Sequence, residues 1–323
     1  MSLIIALLAL GCAPAPELLT GGQLSAALAV AAEVDTTRLT NDVARMVTAH
    51  TDDPGELVSP WDRPHKRRAG EATLTAAFTE LGLTVIVEDD SDEGWEIHNL
   101  VVEFPGATRP DEVVLVTAHY DVWYQGADDN SSGVAVLLEL ARALADKEHS
   151  RTIRIVAFDA EEVGLIGSTR YLRRHTGDDV RLIINMDSVG FASSEVGSQV
   201  APPGFTLPDV GDFIVLMAND VAAREALILG QLAGALPEPL ALQGAVGSGD
   251  HRSPGTGDFH RSDHSEAWSQ GTPGVFLTDT TNFRNEHYHT ETDLPDTLDY
   301  GFLTQVGQLV VAGAWAIAEE DGE

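Results

Sequence analysis

The chain has 323 residues, 43% of them hydrophobic, which is enough for one large domain or two ordinary ones with a full core. Its formal charge of -32 argues against a nucleic-acid binder, because phosphate contacts need clustered Lys and Arg, and lysine occurs only at Lys66 and Lys147. Cys12 is the single cysteine, so no intrachain disulfide can form.

Residues 3–10 are an apolar run too short to span a bilayer, and Gly11-Cys12 follows. This resembles a bacterial lipoprotein signal. It implies a signal over 1–12, lipidation at Cys12, export to the bacterial cell envelope, and membrane contact only through that anchor. The other reading is a secretory signal cleaved nearby, giving a secreted protein. Residues 13–34, rich in Ala, Pro and Gly, read as a tether, and 35–323 as a single domain.

Leu39, Val43, Met46 and Val47 predict an amphipathic helix over 35–50. Residues 51–68 read as a loop, with Asp52-Asp53-Pro54-Gly55 as a turn and His65-Lys66-Arg67-Arg68 as a surface patch. A helix over 69–81 stops at Gly82. Strands follow over 83–87 and 95–104, separated by an acidic turn at 89–93, and then over 112–118. Val134, Leu137, Leu138, Ala141 and Leu144 recur at helical spacing within 131–146. A strand over 152–158, a helix to about residue 174 and a strand over 180–186 continue the alternation. This pattern predicts an α/β fold, with a mixed, mostly parallel central sheet and helices on both faces.

Residues 192–213 read as an inserted loop, 219–235 as a helix and 239–243 as a short strand. The Gly-rich stretch 247–258 has no assignable pattern. A short helix over 262–268, a strand over 275–278, a polar loop over 281–297 and a helix over 299–319 complete the chain. There is no repeat and no sign of a second domain. The glycine turns follow no dinucleotide or phosphate-loop pattern.

Polar groups gather where the predicted strands end. His119 and Asp121 follow one strand, with Asp128 and Asp129 in the loop behind them; Glu161 and Glu162 follow the next, and Asp187 the third. Singly, an Asp at a strand end is usually a turn or helix cap, and a Glu pair a solvated helix start. Together, on parallel neighbouring strands, they would meet at the edge where open α/β sheets bind ligands. Carboxylates crowded around an imidazole repel one another unless a cation sits among them. One His with several carboxylates suits zinc, and a carboxylate can bridge two ions.

The pieces His119-Tyr120-Asp121, Gly126-Ala127-Asp128-Asp129-Asn130-Ser131-Ser132-Gly133, the run from Phe158 through Glu161-Glu162 to Ser168, Asn185-Met186-Asp187, Ser262-Asp263-His264 and Tyr288-His289 with Asp293 occur in that order. With them the chain resembles the zinc exopeptidase family that includes bacterial leucyl aminopeptidases, glutamate carboxypeptidases and glutaminyl cyclases. The resemblance implies two zinc ions per chain. His119 and Asp187 would hold one and Glu162 and His289 the other. Asp129 would bridge them in preference to Asp128, because the family's bridging residue immediately precedes the Asn-x-Ser-Gly run. It also implies a cis peptide after the bridging residue. Glu161 would be the general base, Tyr288 would steady the tetrahedral intermediate, and Asp121 would orient the His119 imidazole. His287 is the rival of His289 and lacks the preceding Tyr. Asp263, His264 and Asp293 would support the site, with a helix cap as the plain alternative for Ser262-Asp263-His264.

The function implied is an aminopeptidase acting on peptides with a free N-terminus, whose positive charge suits nearby carboxylates. Alternatives on the same fold are a single-zinc glutaminyl cyclase-like transferase and a carboxypeptidase. A non-catalytic binding module is the alternative from another class.

Overall fold

Three runs of branched apolar residues, around Val113, Ile153 and Ile183, make the centre of the fold. Such side chains suit a sheet covered on both faces. The computed structural model describes residues 18–51, 64–90, 95–247 and 257–320. The signal with Cys12, the first part of the predicted tether, the turn at 52–55, most of the acidic turn and residues 248–256 lie outside the described residues.

The strands are β1 (Ile86–Asp89), β2 (His98–Phe104), β3 (Arg109–His119), β4 (Arg151–Phe158), β5 (Asp179–Met186), β6 (Ile214–Ala218), β7 (Leu242–Val246) and β8 (Gly274–Thr278). They form one sheet in the order β1-β2-β4-β3-β5-β8-β6-β7. The centre, β4-β3-β5-β8, is parallel, as is the pair β6-β7. The pairs β1-β2, β2-β4 and β6-β8 are antiparallel. In this register His119 lies opposite Phe158, and Ala118 opposite Met186. The residues that follow β3, β4 and β5 therefore leave the sheet at one edge.

The helices are α1 (Gly21–Ala31), α2 (Thr36–Thr51), α3 (Pro64–Glu80), α4 (Gly133–Leu144), α5 (Ile166–Arg174), α6 (Ala223–Ala235), α7 (His264–Ser269) and α8 (Tyr300–Glu319). Alternate strand residues point to opposite faces. Val114 and Val116 join the larger core, which also holds residues of α1, α2, α3, α4, α6 and α8. Leu115 joins the smaller core, with Tyr171 and Leu172 of α5 and Ala267 of α7. α8 is the central helix of the larger layer, touching α1, α2, α4, α6 and the strands β3, β4 and β5. The Asp299 side chain caps it, accepting from Phe302 N at 2.9 Å. Among the described residues it is the one helix long and apolar enough to cross a membrane, yet 72% of that window is buried in the fold, as in a core helix.

Four local expectations differ. The described part of the predicted tether contains α1, started by a reciprocal cap between Thr20 and Gln23 and packed on α8 through a face that includes Ala27, Val30 and Ala31. The patch at 65–68 belongs to α3, and Arg67 is buried rather than on the surface. Its guanidinium pairs with Asp159 at 2.8 Å, a partner 92 residues away that local reading cannot supply. β6, a short all-buried run directly before a helix, was not predicted. β7 lies later than the strand expected over 239–243 because it pairs with β6, Ile214 opposite Leu242.

His175, just after α5, ties that helix to the edge strand. Its Nε2 lies 3.0 Å from Glu88 of β1, its Nδ1 3.1 Å from Asp178, and its ring stacks on Tyr171. The bond to Glu88, against a smaller opposing effect of burial, raises its pKa above 6.5, with Asp178 adding to the rise. A folded-state pKa above the unfolded value gives stability that is fully present below the unfolded pKa and lost as pH rises through the folded one. His175→Gln should therefore lower the Tm more at pH 5 than at pH 9. An equal difference at both pH values would show that the pair is not coupled to folding.

Candidate metal centre and active site

The bend from β3 into α4 sets the geometry of the centre. Gly126 adopts φ +58, and a Cβ there would strike the Asp129 carbonyl and Val122. The chain then turns through Ala127–Ser132 into α4, and the Asp129–Asn130 peptide is cis, at the bond the resemblance points to. Asn130 Oδ1 accepts from Gly133 N, the first residue of α4, at 3.2 Å, and its Nδ2 donates to Met186 O of β5 at 2.9 Å. Asp293 accepts from the backbone N–H of Asp128 at 2.9 Å and of Asp129 at 3.2 Å. The loop is thus tied both to β5 and to the segment carrying His289.

Asp129 divides its two oxygens. Oδ1 lies 3.2 Å from His119 Nε2, and Oδ2 lies 3.0 Å from His289 Nε2. Asp187 Oδ1 approaches His119 Nε2 at 3.7 Å, and Glu162 Oε2 approaches His289 Nε2 at 3.1 Å. These side chains make two groups, His119–Asp129–Asp187 and Asp129–Glu162–His289, whose ligand atoms lie within 4.8 Å of one another. Either group could hold a metal ion.

The donor atoms fit a cation better than they fit each other. His119 Nε2, Asp129 Oδ1 and His289 Nε2 are buried and make no hydrogen bond. Buried polar atoms left without such a partner are rare. His119 Nδ1 meets the Asp121 carbonyl oxygen at 3.0 Å, so that nitrogen can carry the proton and leave Nε2 as a lone-pair donor. Burial, with Asp129 adding, pushes the Glu162 carboxyl up to about 8; burial, with Asp187, Glu162 and Asp263 adding, raises Glu161 well above the carboxylate range. Without a cation, then, Glu161 and Glu162 tend to keep their protons, whereas the two imidazoles hold the Asp129 carboxyl below the usual carboxylate range.

The other expected site residues fall around this centre. Glu161 is buried in neither ligand group, and the charges of His119, Asp187, Glu162 and Asp263 act on it. Tyr288 lies flat on the His289 ring, centroids 3.8 Å apart. The Asp121 carboxylate stands 3.6 Å from His119 Nδ1, beyond its own carbonyl oxygen, and accepts instead from the N–H groups of Glu161 at 3.0 Å and Glu162 at 3.2 Å. It orients the Glu161-Glu162 turn directly and the imidazole mainly through its backbone. Asp128, the alternative bridge, faces away, accepting from Gly190 N at 2.9 Å and Asn285 Nδ2 at 2.7 Å. His287 turns to Thr292, 2.8 Å away, and joins neither ligand group.

The Ser262-Asp263-His264 piece packs behind β5. Ser262 Oγ accepts from Asn185 Nδ2 at 2.9 Å, and His264 Nε2 donates to Phe259 O at 2.7 Å. Asp263 precedes α7 without making a side-chain cap. Burial pushes the Asp263 carboxyl up to about 7 and holds His264 down at about 3, so the imidazole is neutral.

Beside Asp187 and Tyr288 opens a cavity of about 840 Å³, lined by apolar side chains such as Val215, Met217 and Phe276, with Arg261 among the polar ones. Sequence reading missed Arg261, Asn285 and Trp123. The Trp123 ring lies 5.3 Å from His289, and its backbone N–H donates to Glu162 at 3.3 Å. The adjoining Ser262-Asp263-His264 and His287-Tyr288-His289 runs were the nearest available signals for the first two.

The family model described as Peptidase family M28 matches residues 99–314. The Escherichia coli protein YfbL, itself uncharacterised, is 31% identical over 254 residues, covering 72% of this chain and 75% of that protein. Aminopeptidase YwaD of Bacillus subtilis is 28% identical over 263 residues, covering 79% of this chain, which spans only 51% of that relative. In fold, the crystal structure of the LapA aminopeptidase of Legionella pneumophila matches with a TM-score of 0.67 at 18% identity, covering 96% of this chain and 78% of that one.

Proposed function

This chain belongs to peptidase family M28, and on that premise we propose that it is a two-zinc aminopeptidase that removes N-terminal residues from peptides. The observation that carries the reading is the division of the Asp129 carboxylate, one oxygen toward His119 and the other toward His289. A carboxylate placed in this way suits two neighbouring ions better than one, which favours the reading over a single-zinc transferase. Zinc, when bound, supplies Lewis acidity for the scissile carbonyl and lowers the pKa of water. His119, Asp129 and Asp187 would hold one ion, and Asp129, Glu162 and His289 the other.

The remaining roles belong to the chain's own groups. Glu161, which joins neither ligand group, takes the proton of the attacking water and delivers it to the leaving amine. Its backbone is fixed by Asp121, so the carboxyl is presented to the same edge as the ligands. Tyr288 donates its hydroxyl proton to the developing oxyanion. The apolar cavity beside Asp187 and Tyr288 receives the substrate's N-terminal side chain and excludes water from it. The acidic surroundings favour the free ammonium group over a blocked N-terminus.

The test joins metal analysis to a substrate scan. The zinc-saturated protein should hold two ions per chain and hydrolyse aminoacyl-4-nitroanilides, while N-acetylated counterparts remain intact. One ion or none per chain would refute the two-metal site. Equal hydrolysis of the acetylated substrates would refute the aminopeptidase.

A further inference from the structure

Tyr288 has a partner that the reaction as described does not use. Arg261 Nη2 lies 3.1 Å from the Tyr288 hydroxyl oxygen. Its Nη1 donates to Asn282 Oδ1 at 2.9 Å, and Asp258 stands 3.8 Å away. The guanidinium carbon is 5.9 Å from the centre of the Tyr288 ring. Arg261 and Tyr288 both line the cavity beside Asp187.

A tyrosine hydroxyl carries one proton and can also accept, whereas a guanidinium only donates. The contact therefore occupies an acceptor position on the Tyr288 oxygen, and the hydroxyl proton must point to something else. The ring stacks on the imidazole of His289 and lines the cavity beside Asp187, so the hydroxyl belongs to the wall that the cavity shares with the centre. We propose that Arg261 is a positioning residue for the reaction. By donating to the Tyr288 oxygen, it directs the Tyr288 proton at the substrate's oxyanion and strengthens that donor. This rests on the aminopeptidase reading given above.

The Arg261 side chain is 41% exposed, so water screens its charge at longer range and the effect must pass through the direct bond. The fork geometry explains why an arginine suits the position. One arm is anchored on Asn282 while the other reaches Tyr288, a division that a single ammonium group makes poorly.

The test is a double-mutant cycle on the zinc-loaded protein with Arg261→Met and Tyr288→Phe. Loss of an oxyanion donor typically costs about 10²–10³-fold in kcat. Arg261→Met alone should cost roughly 10–100-fold, less than the donor itself, with KM little changed and with zinc content and Tm as in the wild type. Combined with Tyr288→Phe it should add almost nothing, because its effect runs through the missing hydroxyl. Arg261→Lys should recover part of the loss.

A second readout does not use turnover. A 1-aminoalkylboronic acid, which can become tetrahedral, should bind Arg261→Met more weakly by a similar factor, while the free amino acid product binds as before. Additive losses in the double variant, a rise in KM alone, or wild-type behaviour of Arg261→Met in both readouts would overturn the proposal. A wild-type protein that holds zinc and cleaves no peptide overturns the aminopeptidase reading and this inference together. An active wild type with an indifferent Arg261→Met overturns only the latter.

Discussion

Glu161→Gln is expected to keep its zinc and its fold while kcat falls by about 10²–10⁴-fold, the usual cost of losing a proton shuttle. The glutamine amide has nearly the same shape and cannot take a proton from water. Glu161 belongs to neither ligand group, so the exchange leaves both sets of donor atoms in place. The Asp121 carboxylate holds the Glu161 turn through backbone N–H groups, which the substitution does not touch. Zinc content, Tm and kcat measured on the same preparation decide the matter. Near-normal kcat would move the base to another residue. Lost zinc would mean that Glu161 is a ligand after all.

Asp129→Asn is expected to do damage of a different kind. The carboxylate presents an oxygen to each of two imidazole-containing groups, and a carboxamide has only one oxygen, with donor N–H groups in place of the other. One group must then lose a ligand and face a hydrogen-bond donor where it needs an acceptor. Zinc content should drop to one ion or fewer per chain. Affinity for the lost ion should fall by more than the roughly 10–100-fold that removal of an outer-shell partner costs. Activity should fall with it and recover only partly when zinc is added in excess. A variant that retains two ions at wild-type affinity would mean that Asp129 does not bridge.

Much of the centre can be read from the sequence because its residues follow strands that are both parallel and adjacent. His119, Glu161, Glu162 and Asp187 each come after an apolar run of strand length, and the order β4-β3-β5 brings those ends together. Contacts closed by distant chain were not legible. Arg67 looks like one of a surface cluster until Asp159 is placed beside it. The family pattern already separates Asp129 from Asp128, but the reason Asp128 is unavailable, that Gly190 and Asn285 claim its oxygens, lies in distant chain. α1 was hidden by its two leading glycines and weak apolar periodicity, and it depends on packing against α8. β6 was hidden because five buried apolar residues in a row have no period to distinguish strand from helix.

The place of α8 has a consequence for how the chain comes to be folded. Four other helices of the larger core and the three central strands β3, β4 and β5 rest on this helix, and it follows all of the sheet strands and the proposed metal ligands in the sequence. During synthesis the sheet and the loops at its active edge are complete while the surface meant for α8 is still bare. Leu309, Val310 and Val311, buried in the finished fold, have yet to cover it. For that interval the nascent protein carries a broad greasy groove, the kind of surface that invites chaperones or sticks to other chains. Premature termination or clipping near residue 299 would therefore harm more than the C-terminal segment, because it would leave the assembled catalytic edge on a scaffold with its core open to water.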